Sequence, residues 1–198
     1  MFHPQSEPMR KNKNRPPLSV AGLFSGIGGI ERGLQKAGHR IKLLCEIEPR
    51  AQNVLRTKFR CKVVGDVKKI KQLPRVDLVT AGFPCQDLSP VGRTKGIDGR
   101  NSRLVGEALR LLRTAKHRPN WFLIENVPFM LRLHGGKGMS FLVNSIEKLG
   151  YTWAYRVVDT LAFGIPQRRR RVILLASRKE DPRDVIFADN SIPLEPTF

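Results

Sequence analysis

The tripeptide Pro84-Cys85-Gln86 contains the side chain of this sequence best suited to covalent chemistry. It follows the apolar run 76–83, which is typical of a buried strand, so Cys85 is predicted to lie where a strand opens into a loop. Ligands of an open parallel sheet bind outside the carboxyl ends of its strands, and a thiol there can act as a nucleophile toward a substrate. The alternative, from these residues alone, is a buried packing cysteine.

A carboxyl group is expected beside this thiol. The apolar segment 121–124 leads into Glu125-Asn126-Val127, and in the usual doubly wound order its strand lies next to the strand that ends at Cys85. A partly buried Glu125 could carry a proton during a reaction, while basic surroundings would favour the thiolate form of Cys85. A surface loop carboxylate is the alternative for Glu125 taken alone.

The run Gln167-Arg168-Arg169-Arg170-Arg171 lies between the last two predicted strands. Alternate residues of an extended stretch share a face, so Arg169 and Arg171 should point one way and the other two arginines the opposite way. Guanidinium groups bind carbonyl oxygens, carboxylates and phosphates, so one pair could serve the site. A solvated or phosphate-facing basic surface is the alternative. The glycine-containing loop 89–103, which is also basic, is predicted to be a mobile flap over an anionic substrate.

A glycine-rich loop, Phe24-Ser25-Gly26-Ile27-Gly28-Gly29, separates the first predicted strand from the first helix and would let the backbone approach a ligand closely. A dinucleotide pattern would require glycine or alanine where Glu31 stands. Glu46 ends the second strand, where a carboxylate can accept from ribose hydroxyls, and Asp66 follows the third. Two carboxylates without a phosphate-binding lysine favour S-adenosylmethionine over NAD. Capping of helices or turns is the alternative for both acids.

Strand and helix patterns alternate along the chain. Strands are predicted at 18–24, 41–46, 62–64, near 76–83, and at 121–125, 155–159 and 171–176; helices are predicted at 30–37, 49–59, 104–113 and 139–149. This alternation predicts an α/β fold with a doubly wound, mostly parallel sheet. Only a loop joins the last two strands, so an antiparallel last strand should make one edge of the sheet mixed.

Size and charge restrict the class of protein. The 198 residues suit one globular domain, and a net charge of +19 favours a nucleic-acid partner. Three widely spaced cysteines argue against a disulfide framework and a structural zinc site, so no metal is predicted. No run suits a membrane span or a signal peptide, which predicts a cytoplasmic protein, associated with the nucleoid if bacterial. The predicted divisions are a disordered basic tail (1–17), a catalytic domain (18–178) and a C-terminal extension or truncated start of a further region (179–198).

Together these motifs, in this order, resemble those of the DNA (cytosine-5) methyltransferase family, with the S-adenosylmethionine-dependent methyltransferase fold. The resemblance implies that Cys85 is the nucleophile and that Glu125, Arg169 and Arg171 are catalytic, the two arginines holding the base oxygen and the Cys85 loop. The implied cofactor-binding residues are Phe24, Ser25, Gly26, Gly28, Gly29, Glu46, Ile47, Asp66 and Pro84. The implied substrate-binding residues are Gln86, Ser89, Arg103 and Asn126.

The reaction that the resemblance implies is methyl transfer to C5 of a cytosine flipped out of DNA, through a covalent bond between Cys85 and C6. Ile47 stands where many relatives have an aromatic residue, which implies weaker cofactor binding. The family normally continues into a target-recognition domain and two further motifs. We therefore expect the catalytic half of a split enzyme whose second chain supplies recognition. The alternatives are a catalytically silent, truncated DNA-binding fragment and a tRNA cytosine-5 methyltransferase.

Overall fold

The computed structural model describes residues 16–84 and 103–188, except for the side chain of Arg103. The strands are β1 (Ser19–Leu23), β2 (Arg40–Cys45), β3 (Lys62–Val64), β4 (Leu78–Ala81), β5 (Trp121–Asn126), β6 (Thr152–Asp159) and β7 (Arg170–Ser177). The helices are α1 (Gly29–Lys36), α2 (Pro49–Lys58), α3 (Arg103–Thr114), α4 (Lys137–Glu147) and the short α5 (Arg183–Ile186). The element types and approximate bounds agree with those expected from the sequence, except that α5 was not predicted and β6 begins three residues earlier than expected.

The seven strands form one sheet in the order β3-β2-β1-β4-β5-β7-β6. β1 pairs in parallel with β2 and β4, β3 with β2, and β5 with β4. β7 runs antiparallel to both of its neighbours, β5 and β6. This arrangement confirms the predicted fold class, a doubly wound and mostly parallel α/β sheet.

The antiparallel last strand, β7, makes one side of the sheet mixed, as predicted. β7 lies inside the sheet, between β5 and β6, and β6 is the edge strand. The two strands differ in burial, because the second half of β7 is buried whereas every residue of β6 except Ala154 is exposed or partly buried. The more apolar strand occupies the interior because there it is covered on both faces.

Helices cover both faces of the sheet. On one face, Leu55 and Phe59 at the end of α2 pack on Leu44 of β2. On the other face, α3 and α4 contribute apolar residues such as Leu111 and Leu142 to the main core. This double covering leaves the carboxyl ends of β1, β2, β4 and β5 at one edge of the sheet, where functional groups are expected. Within the described ranges, no helix is both long enough and apolar enough to cross a membrane.

Candidate active site

A cavity of about 250 Å³ lies where β4 and β5 end. It is lined by Gly82, Phe83, Pro84, Glu125, Asn126, Val127, Arg169 and Arg171. Its volume is below the roughly 300–1,000 Å³ typical of ligand pockets, which suits a small planar group. The cavity therefore brings together the residue that precedes Cys85, the predicted acid and the two predicted arginines.

Glu125 and Arg171 form an ion pair in this cavity. Arg171 Nε donates to Glu125 Oε1 over 2.7 Å, and both side chains are about one quarter exposed. The antiparallel register produces the pair, because Asn126 lies opposite Val172 and so brings Arg171 beside the end of β5. A half-buried guanidinium holds a carboxyl group in a fixed orientation while leaving its second oxygen available to another partner.

Asn126 is a buried link between the two strand ends, only 4% exposed. Its Nδ2 donates to the carbonyl oxygen of Phe83 over 2.9 Å, and its Oδ1 accepts from the backbone N–H of Val127. The amide is therefore engaged with the backbone on both sides. This geometry favours a positioning role for Asn126, since it holds the segment that leads into Cys85.

Several predicted site residues fall outside the described part of the chain. These are Cys85, Gln86, Ser89 and the side chain of Arg103, together with most of the predicted flap. Their roles stay predictions. Pro84, which lines the cavity, is the last described residue before Cys85.

The glycine-rich loop adopts conformations that few residue types tolerate. Gly26 and Gly28 have φ angles of 53° and 85°, and Phe24 has a φ of 57°, which is strained for a residue with a side chain. A Cβ atom on Gly28 would lie 2.5 Å from the Phe59 ring. Helix α2 thus packs directly against the backbone of this loop.

Glu46, at the end of β2, connects the glycine-rich loop to the segment that follows β2 through two hydrogen bonds. Its Oε2 accepts from the backbone N–H of Gly26 over 2.7 Å, and its Oε1 accepts from the backbone N–H of Glu48 over 2.9 Å. A carboxylate has about four acceptor positions, so capacity remains for two ribose hydroxyls. The next residue, Ile47, is 72% exposed. It presents a bare apolar surface beside the carboxylate.

Asp66 follows β3, and its Oδ1 accepts from the backbone N–H of Lys68 over 2.9 Å. It therefore caps the 3₁₀ turn Val67–Lys69. The capping role that the sequence left open is thus present, and Glu46 likewise bonds to turn backbone. Because a carboxylate accepts several hydrogen bonds, these contacts leave room for ligand roles as well.

A ring contact joins the glycine-rich loop to the segment before Cys85. Phe24 and Phe83 pack edge to face, with ring centroids 6.3 Å apart. The backbone oxygen of Phe24 also lies 3.6 Å from where a Cβ atom on Gly82 would stand. The two predicted sites are therefore in direct contact.

Sequence reasoning missed an inward-facing carboxyl group beneath the loop. Glu31, in the first turn of α1, is 1% exposed, and its Oε1 accepts from Thr80 Oγ1 over 2.7 Å and from Ser25 Oγ over 3.5 Å. Among the described residues, its Oε2 has no hydrogen-bond partner. Burial raises the pKa of Glu31. Thr80 is 49 residues away in the chain, so no local pattern could have indicated the contact.

The sequence profile described as "C-5 cytosine-specific DNA methylase" matches residues 18–196. The chain belongs to this family. Its membership confirms the family that the ordered motifs indicated.

Relatives within the C-5 cytosine-specific DNA methylase family include Type II DNA methyltransferases. The chain is 55% identical over 180 residues to the Type II methyltransferase M2.BsuMI of Bacillus subtilis (strain 168), and this match covers 89% of the chain and 46% of that relative. It is 33% identical to M.BanI of Aneurinibacillus aneurinilyticus, covering 84% of the chain and 40% of that protein. The chain therefore spans less than half of the length of these two relatives.

The fold matches a solved structure of the same class. The crystal structure of the S. pombe Dnmt2 methyltransferase aligns with a TM-score of 0.68 and 24% identity, covering 89% of the chain and 57% of that protein. Proteins of this family and fold are S-adenosylmethionine-dependent methyltransferases, which confirms the predicted class of cofactor.

Proposed function

We propose that this chain is the catalytic part of an enzyme that transfers a methyl group from S-adenosylmethionine to C5 of a cytosine in DNA. The observation that carries the proposal is the 250 Å³ cavity in which Glu125, Arg169 and Arg171 surround the residue that precedes Cys85. Family membership and the net charge of +19 support cytosine in DNA as the substrate.

The proposed reaction begins when the Cys85 thiolate adds to C6 of the cytosine while Glu125 supplies a proton to N3. C5 then becomes a carbon nucleophile. S-adenosylmethionine, held by the glycine-rich loop and Glu46, would supply an electrophilic methyl group, and its bond from the sulfonium sulfur to the methyl carbon would break to leave a neutral thioether. Loss of the C5 proton to water, with return of the N3 proton to Glu125, expels the thiolate and restores the C5–C6 double bond. The Arg171 contact holds the Glu125 carboxyl in place for both proton transfers.

The base must leave the duplex to reach this site. C6 is inaccessible inside a stacked helix, and extrusion of one nucleotide costs a few kcal/mol. The cavity is smaller than a typical ligand pocket and carries two guanidinium groups, which suits one flipped base with its carbonyl oxygen.

The residues present fit the proposed cofactor. Glu46 joins the glycine-rich loop to β2 and has free acceptor capacity for ribose hydroxyls, and the exposed Ile47 offers a surface for the adenine ring. Asp66 stands at the end of the adjacent strand. The conformations of Gly26 and Gly28 keep the loop free of side-chain bulk at its turns.

We further propose that a second polypeptide supplies target recognition. The matched regions make up 46% and 40% of the two relatives. Ile27, in the glycine-rich loop, is 68% exposed. A partner that covers it would remove apolar surface from water.

The test uses DNA that contains 5-fluorocytosine, because fluorine at C5 cannot leave as a proton and the adduct is trapped. The chain is incubated with S-adenosylmethionine and this DNA, alone and with the product of any adjacent gene. The denatured mixture is then examined for a covalent complex. Cys85→Ser should abolish the complex, whereas Cys61→Ser, the matched control at a partly exposed cysteine, should retain it.

An adduct formed by the chain alone supports the chemistry and removes the need for a partner. An adduct formed only with the second polypeptide supports the split enzyme. An adduct that forms on tRNA and not on DNA would replace the proposed substrate. Absence of any adduct under all conditions would overturn the proposal in favour of a silent fragment.

A further inference from the structure

Residues 58–71 form a strongly basic segment beside the outer strand of the sheet. Six of these 14 residues are Lys or Arg and one is acidic, whereas the whole chain has 36 Lys and Arg in 198 residues. We call the six the basic edge: Lys58, Arg60, Lys62, Lys68, Lys69 and Lys71. The density of positive charge here is more than twice the average of the chain.

The basic edge is open to solvent and carries uncompensated charge. All six side chains are exposed. Within residues 16–84 and 103–188, none of the six forms a salt bridge. The single acidic residue of the segment, Asp66, uses its Oδ1 to accept from the backbone N–H of Lys68. An exposed patch of one sign attracts a polyanion.

Two of the six have ordinary structural explanations. Lys58 lies in the last turn of α2, where a cation is favourable, and Lys62 lies on edge strand β3, where lysine discourages pairing with another chain. Neither explanation applies to Arg60, Lys68, Lys69 and Lys71. These four lie before and after the three residues of β3, on turns and connecting segments.

The distance between the basic edge and the cavity would allow one DNA duplex to contact both. β3 is separated from β4 by β2 and β1, and from β5 by one strand more. At about 4.8 Å between neighbouring strands, the edge is roughly 15–20 Å from the strand ends that form the cavity. That span corresponds to about five base pairs at 3.4 Å each. Lys68 and Lys69 follow the carboxyl end of β3. The cavity also lies at the carboxyl ends of strands, those of the parallel strands β4 and β5.

We propose that the basic edge binds the phosphate backbone of duplex DNA about five base pairs to one side of the flipped cytosine. This inference rests on the proposed DNA substrate. Contacts to phosphates fix the position of a protein on DNA without reading its sequence, so the edge holds the duplex while the cavity takes the base.

The test compares two triple variants of the full 198-residue chain. The first is Lys68→Gln, Lys69→Gln, Lys71→Gln. The matched control, Lys36→Gln, Arg40→Gln, Lys42→Gln, removes three exposed charges near the end of α1 and in the first half of β2. These positions lie toward the amino ends of the strands, whereas Lys68 and Lys69 follow the carboxyl end of β3. Exposed substitutions of this kind change stability little, and thermal melting checks that both variants are folded.

Equilibrium binding is measured between 50 and 200 mM salt with a duplex of about 30 base pairs and with one that extends about three base pairs on either side of the target. For three lost contacts, the slope of log K against log salt on the long duplex should become shallower by about 2.7. The ratio of wild-type to variant affinity should therefore fall by roughly 40-fold across this fourfold salt range. The short duplex and the control triple should show no such change.

The result that would overturn the inference is a wild-type slope for the first variant on the long duplex, or equal losses for both triples. A loss confined to RNA would also overturn it. Binding is measured without catalysis, so the outcomes are separable: failure to trap a Cys85 adduct together with a selective loss on the long duplex would refute the proposed function and leave this contact standing.

Discussion

Replacing Thr80 with valine should destabilise the protein, and the loss should increase with pH. Thr80 Oγ1 donates to Glu31 Oε1 over 2.7 Å, and both residues are buried. The other side-chain donor to this oxygen, Ser25 Oγ, lies at 3.5 Å, the outer limit of a hydrogen bond. Valine keeps the shape of the side chain and removes the short contact.

The size of the loss follows from the charge on Glu31. A hydrogen bond to a charged group contributes about 1.5–3 kcal/mol, whereas one to a neutral group contributes about 0.5–1.5 kcal/mol. We therefore expect Thr80→Val to cost about 1 kcal/mol where Glu31 is protonated in both the folded and the unfolded state. The cost should reach about 2–3 kcal/mol where Glu31 is ionised in both.

The direction of the pH effect comes from the raised pKa of Glu31. In the unfolded chain the carboxyl group ionises near its ordinary pKa of 4.5, while burial raises the pKa in the folded state. Between those two values the native state binds more protons, so the free energy of unfolding falls as pH rises. Thr80→Val removes a contact that lowers the pKa of Glu31, so the variant should lose stability over a longer pH range.

Glu31→Gln completes the comparison because it keeps an acceptor oxygen and removes the titration. In a chain that already carries Glu31→Gln, the Thr80→Val penalty should be about 1 kcal/mol at every pH. The coupling energy between the two positions should therefore be about 1–2 kcal/mol at high pH and close to zero at low pH.

Urea unfolding of the wild type, the two single variants and the double variant between about pH 4 and pH 9 measures these quantities, with an unchanged m-value as the check that the unfolded states are comparable. A Thr80→Val penalty that stays constant over this range would refute the reasoning. So would a coupling energy that is indistinguishable from zero at the alkaline end.

Three further predictions concern the site and its supports. Gly28→Ala should lower the free energy of unfolding by about 2–4 kcal/mol, because φ is 85° and the added Cβ would stand 2.5 Å from the Phe59 ring; an unchanged urea midpoint would contradict it. Asn126→Ala should cost about 1–3 kcal/mol and slow adduct formation while leaving the KM for S-adenosylmethionine unchanged, because it leaves the buried carbonyl of Phe83 without its partner; a raised KM with a normal rate would point to a different role. Arg171→Lys should reduce the rate of adduct formation by roughly tenfold or more, because an ammonium cannot reproduce the guanidinium contact at 2.7 Å to Glu125. The control is Arg156→Lys on edge strand β6, and equal rates for the two variants would count against the prediction.

Local patterns in the sequence were sufficient to predict most of the fold. Apolar runs bounded by polar turns predicted the strands, and Pro49 marked the start of α2. The order of β6 and β7 in the sheet was not predictable from them, because both strands are adjacent in the chain and either can be the edge. The difference lies in how much of each strand is buried, which depends on the neighbours each acquires.

The sequence predicted which acid and which arginines would lie together, but it did not predict the contacts that support them. Glu125 and the two arginines could be predicted from the sequence because each belongs to a motif that occurs in a recognisable order along the chain. The supporting contacts join residues far apart in the chain: Asn126 bonds to Phe83, and Glu31 bonds to Thr80. Such pairs depend on strand register, and nothing in either local segment specifies it.

The insertion of β7 between β5 and β6 determines the order in which the nascent protein is completed. β6 leaves the ribosome before β7, yet β7 is the strand it pairs with in the described sheet. Until residues 170–177 are synthesised, β6 has no ladder to join and β5 presents an open edge. Arg171 reaches Glu125 only with that last strand. Translation therefore completes the glycine-rich loop first and the cavity at the ends of β4 and β5 last, so a chain whose synthesis pauses between β6 and β7 lacks the ion pair between Glu125 and Arg171.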